Sequence, residues 1–264
     1  MVKGARTSRP RKRHLQIAML NADGTKPLPK HGGKRRGAGR PPKGKRAGSA
    51  HKRRAALKAS QPVHVVLRVL PVMGQLRKRT MYAALRWATL SILKHEDVHI
   101  VHVSIQQNHI HLLVEAQSKK ALSRGMQAFQ ISAAKLMNRA LGWQKRRRGQ
   151  VFEDRFHAEV ITTPRQARHA LAYVLNNWRK HEQDRGALSK TWLVDPFSSG
   201  ASFWGWKQLE GHDFMWKTPE TYEPLAVWFP KTWLLQEGWL KYGRIDCREV
   251  PSKNQLARRT TARV

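Results

Sequence analysis

The chain has 264 residues, of which 51 are Lys or Arg and 17 are Asp or Glu, a net charge of +34. An excess of that size implies a polyanionic partner, with nucleic acid first and an anionic membrane surface second. No run approaches the roughly 18 apolar residues of a membrane span. A single cysteine, Cys247, excludes internal disulfides and cysteine-based zinc fingers and fits a reducing cytoplasm, in contact with the nucleoid.

Residues 1–60 contain 19 Lys or Arg, one acid (Asp23) and no aromatic residue. Such a segment buries too little apolar surface to offset chain entropy, so a disordered, DNA-binding basic arm is expected. Within it, Lys34-Arg35-Arg36-Gly37-Ala38-Gly39-Arg40-Pro41-Pro42-Lys43 resembles an AT-hook. Arg35, Arg36 and Arg40 would then enter an A·T minor groove. A non-specific basic arm is the alternative.

A folded domain is expected over 61–185. Val63 to Leu70 reads as a first strand. Met81, Leu85, Ala88 and Ile92 give helical spacing over 79–93. Val98 to Ile105 is a second strand, with Val101, Val103 and Ile105 alternating against His102 and Ser104. Gln106-Gln107-Asn108 is a tight turn into a third strand, His109 to Glu115. A long helix over 118–141 has the apolar face Leu122, Met126, Phe129, Ala133, Leu136 and Ala140. A basic loop, Lys145-Arg146-Arg147-Arg148-Gly149, precedes a fourth strand at 156–161. Pro164 suits the first turn of a last helix, which runs to about His181. The order predicts an α+β, ferredoxin-like β-α-β-β-α-β core with one further helix. One sheet face would carry helices and the other would stay open for a ligand.

Seven of the ten tryptophans fall between Thr191 and Tyr242. This Trp-rich C-terminal extension, 186–250, reads as a loop-rich subdomain packed on the main domain by its aromatics. A stacking platform for single-stranded bases is the alternative. Residues 251–264 form a basic tail.

The chemistry concentrates in Asn108-His109-Ile110-His111-Leu112. Alternate strand residues share a face, so His109 and His111 aim two imidazoles at one spot while Ile110 and Leu112 point into the core. Imidazole is the commonest metal ligand, and the pair is half of a cation site; it is equally the pattern of a polar strand face. On the last helix Tyr173 and Asn177 lie four apart and project together. The Asn177 carbonyl suits Mg²⁺ or Mn²⁺. Tyr173 is either a nucleophile or a core tyrosine; as a nucleophile, a phenol of ordinary pKa near 10 needs a cation or base beside it. His102 is a second partner to the pair or a solvated strand residue. Arg155 and the Arg146–Arg148 run are phosphate-holding candidates.

This combination resembles the His-hydrophobe-His (HUH) single-tyrosine transposases. The Tyr-x-x-x-Asn spacing, and Val151-Phe152 leading to Phe156-His157, look most like their REP-associated tyrosine transposase branch. The resemblance covers about 62–182. It implies metal-dependent cleavage and rejoining of single-stranded DNA at or near hairpins through a 5′-phosphotyrosine. His109, His111 and Asn177 would be ligands to Mg²⁺ or Mn²⁺, with no other cofactor, and Tyr173 the nucleophile. Related insertion-sequence enzymes carry Gln where Asn177 stands. A DNA- or RNA-binding protein without catalysis, such as a domesticated transposase that grips hairpins uncut, is the rival reading.

Overall fold

The computed structural model describes residues 56–142, 148–183, 192–210 and 221–251. Arg35, Arg36 and Arg40, with the AT-hook-like stretch at 34–43, lie outside these residues, as do Arg146 and Arg147.

Seven elements follow in the expected order: β1 (Val63–Arg68), α1 (Arg79–Ile92), β2 (Val98–Ile105), β3 (His109–Ala116), α2 (Lys119–Leu141), β4 (His157–Val160) and α3 (Pro164–Lys180). The sheet is antiparallel with strand order β2-β3-β1-β4, which is the ferredoxin-like order. Local chemistry sets the boundaries. Ser118 caps α2 by accepting from the Ala121 N–H. Thr163 and Gln166 form a capping box at α3, with Pro164 in its first turn.

The strands divide their side chains between two cores. Val63, Val65, Leu67, Ile110, Leu112 and Val114 pack under α1 and α2. Leu113 points the other way, into a second core with α3, Phe203, Trp206 and Trp239. The open face expected from the sequence is therefore corrected: α3 and residues of the Trp-rich segment cover it. Trp206 and Trp239 are fully buried there, while Trp204 and Trp233 keep much of their surface exposed. The same segment also shields the β2 edge, through Trp228 N–H to the Ile100 carbonyl and Ile105 N–H to the Phe197 carbonyl. Covering an edge strand in this way removes a template for unwanted pairing.

Three details depart from the strand and helix patterns read in the sequence. A bulge between Ile100 and His102 breaks the β2 alternation, so Val101 joins the second core while Val103 stays in the first. On α2, Met137 is fully buried and Leu136 only partly so. His102 is not solvated: it is buried and shares a 3.1 Å hydrogen bond with Ser199. Burial without a charged partner holds its pKa down to about 3.

Candidate active site

The site is built on the β3 residues that face α3. Pairing with β1 sets Arg68 opposite His109 and Val66 opposite His111. The two rings of the His-x-His pair are 4.7 Å apart between centroids and nearly perpendicular. His109 is half-buried and shares a 2.7 Å hydrogen bond with the Asn108 side chain. His111 is 3% exposed, and its Nε2 has no hydrogen-bond partner among the described residues.

Helix α3 lies over this pair. The Tyr173 ring meets His111 edge-on at 5.2 Å between centroids and His64 at 5.7 Å. Two turns on, the His181 ring stands 5.9 Å from His109, and the Lys180 ammonium lies 4.5 Å above the Tyr173 ring. Positions 173, 177, 180 and 181 share one helical face. Asn177 thus lies on the stripe whose two ends touch His111 and His109. It is fully buried, yet neither its Oδ1 nor its Nδ2 has a partner among the described residues. A buried amide left unpaired costs about 1–3 kcal/mol, so native structures seldom tolerate one without a reason.

Burial dominates the electrostatics. Desolvation, aided by neighbouring positive charge, lowers His109 and His64 to about 4 and His111 well below the ordinary imidazole range. All three are neutral at pH 7, the state in which imidazole can offer a lone pair. Burial raises Tyr173 above the ordinary phenol range, which favours the protonated hydroxyl.

Among the described residues no three His, Cys, Asp or Glu side chains form a metal-holding group. The donor set available is instead two imidazoles and an amide. The unpartnered His111 Nε2 and Asn177 Oδ1 fit a small divalent cation with oxygen ligands completing its shell.

The structure thus brings together His109, His111 and Tyr173, with Asn177 one turn further along the same helical stripe. Arg155 and Arg148 are exposed, on the segment between α2 and β4. That segment passes the His109 end of the sheet, where Glu153 N–H donates to the Arg68 carbonyl and Phe152 bridges Val69. Sequence reasoning missed His64, Lys180 and His181. Lys180 and His181 follow Tyr173 by seven and eight residues, a helical repeat that was available to find them. His64 interrupts the apolar run of β1 at an alternate position, the one signal it offered.

Residues 59–177 match a family model described as "Transposase IS200 like". Among solved structures, the chain is similar to a REP-associated tyrosine transposase bound to a REP hairpin. The identity is 18%, over 68% of this chain and 99% of that one, with a TM-score of 0.46. A Deinococcus radiodurans R1 crystal structure named as a candidate transposase aligns at 13% identity over 53% of this chain and 98% of that one, with a TM-score of 0.32. No curated protein matches the chain. The match to the IS200-like transposases spans residues 59–177, the stretch that carries both the paired strand histidines and the helix tyrosine.

Proposed function

We propose that this chain is a transposase that nicks and rejoins single-stranded DNA with Tyr173 as nucleophile, in the manner of the REP-associated branch that its Tyr-x-x-x-Asn spacing resembles. The observation that carries the reading is the Tyr173 ring set against the His-x-His pair within one chain, 5.2 Å from His111, with the orphaned Asn177 amide one helical turn away.

His109, His111 and Asn177 would hold the cation, Mg²⁺ or Mn²⁺. When bound, a divalent ion supplies Lewis-acid stabilisation of charge on a non-bridging phosphate oxygen. The chain's own residues do the rest. Tyr173 Oη attacks phosphorus in line; the Oη–P bond forms and the P–O3′ bond breaks. The phenolic proton leaves to solvent, and the departing 3′ oxygen is protonated. Lys180, above the Tyr173 ring, favours the developing phenolate. The ester retains the energy of the broken linkage, so a later 3′-hydroxyl reverses the step without ATP. Arg148 and Arg155 hold flanking phosphates, and the basic arm at 1–60 adds affinity that falls steeply with salt.

The test uses full-length protein, single-stranded hairpin DNA and Mg²⁺ or Mn²⁺. Wild type should give a nick and a denaturant-resistant protein–DNA adduct whose linked peptide contains Tyr173. Tyr173→Phe should abolish both while hairpin binding persists, since phosphate contacts elsewhere supply most of the affinity. An adduct on Tyr82, Tyr222 or Tyr242 would refute the assignment. Binding without any cutting by wild type would favour the non-catalytic hairpin binder.

A further inference from the structure

His64 stands beside the site without belonging to the His-x-His motif. The β1–β3 register pairs His64 with Leu113 and Val66 with His111, which makes the two histidines diagonal neighbours on one sheet face. His64 Nε2 lies 3.0 Å from His111 Nδ1. The ring centroids are 5.2 Å apart and the planes within 20° of parallel, the geometry of two imidazoles bonded end to end. His64 is itself buried, and its ring contacts Tyr173 as well.

One proton occupies that hydrogen bond, and its owner decides what His111 can do. If His64 donates, the proton of a neutral His111 must sit on Nε2. That nitrogen is buried and has no partner among the described residues, so a donor would be stranded and no lone pair would face the site. If His111 donates through Nδ1–H, its Nε2 is bare. We infer that His64 is a positioning residue, which accepts the Nδ1–H of His111 and holds that ring with a bare Nε2 that would be available to the cation. Metal-binding histidines commonly have their second nitrogen fixed in this way by a carboxylate or carbonyl; here a histidine from the neighbouring strand takes that place. The inference rests on the cation site proposed above, and two readouts separate the two.

The first readout needs no metal and no variant. Long-range ¹H–¹⁵N spectra of full-length, ¹⁵N-histidine-labelled protein at neutral pH should show His111 protonated at Nδ1 and bare at Nε2. A His111 carrying its proton on Nε2 overturns the inference. The second is Mn²⁺ binding, followed by the electron paramagnetic resonance of free Mn²⁺. His64→Phe keeps a planar ring but has no acceptor, and it should weaken Mn²⁺ binding about 10- to 100-fold, the usual cost of losing such a partner. His64→Gln places an amide oxygen near the lost Nε2 and should recover most of that affinity. Mn²⁺ affinity unchanged in His64→Phe also overturns the inference. If wild type binds no Mn²⁺, the cation site is refuted, and the tautomer of His111 in wild type and in His64→Phe still decides the role of His64.

Discussion

Replacing Asn177 by Leu should make the metal-free protein more stable and inactive. The two side chains have nearly the same shape, so the fully buried site on α3 accepts the change with little repacking. What changes is polarity. Neither Oδ1 nor Nδ2 of Asn177 has a partner among the described residues, so folding strips an amide of its water with no hydrogen bond in return. That penalty is about 1–3 kcal/mol, and the substitution removes it. For a domain of this size, 1 kcal/mol shifts Tm by about 2–4 °C, so Tm should rise by roughly 2–12 °C. Thermal and urea melts in EDTA measure the gain. Parallel nicking assays with Mn²⁺ should show the activity lost. Mn²⁺ should raise the Tm of wild type by mass action and leave that of Asn177→Leu nearly unchanged. A variant destabilised by 1 kcal/mol or more in EDTA would show that the amide is already satisfied in the free protein. The case for Asn177 as a functional group would then be lost.

Two other perturbations separate strong from weak contributions elsewhere in the domain. Arg77 and Asp195 form a bidentate pair at 2.8 and 2.9 Å, with side chains 10% and 0% exposed, and Arg77 also donates to the Ile105 carbonyl. Arg77→Met strands a buried carboxylate and should cost about 3–5 kcal/mol in urea melts. Glu223→Gln, in the Arg86–Glu223 pair whose acid is 68% exposed, should cost no more than about 1 kcal/mol; equal losses would contradict the assignment of burial as the cause. Stability should also depend on acid through His102, held at about 3 in the fold against 6.5 unfolded. Between those values the unfolded chain binds more protons, so stability is full above about pH 6.5 and declines as pH falls toward 3. His102→Gln should flatten that limb by about one proton in a pH series of melts, and an unchanged slope would place the titration elsewhere.

Much of the candidate site is legible because it rests on short-range periodicity. Strand geometry alone puts His109 and His111 on one face, and helix geometry alone puts Tyr173 and Asn177 on one stripe. The order of strands and helices follows from the same two periods and the caps at Ser118 and Thr163. Periodicity does not say which strand lies beside which. His64 becomes a partner of His111 only because β1 inserts between β3 and β4, a choice made by long-range pairing. Nor does alternation foresee the bulge that turns Val101 out of the first core, since one extra residue reverses every face beyond it. The covering of the second sheet face has the same origin. Trp206 and Trp239 sit in a segment with no regular period, and their burial against α3 depends on contacts with residues far away in sequence. Local chemistry thus fixed the elements and the two halves of the candidate site, and tertiary packing decided that the halves meet, that His64 lies against His111, and that α3 and the Trp-rich segment pack over that sheet face.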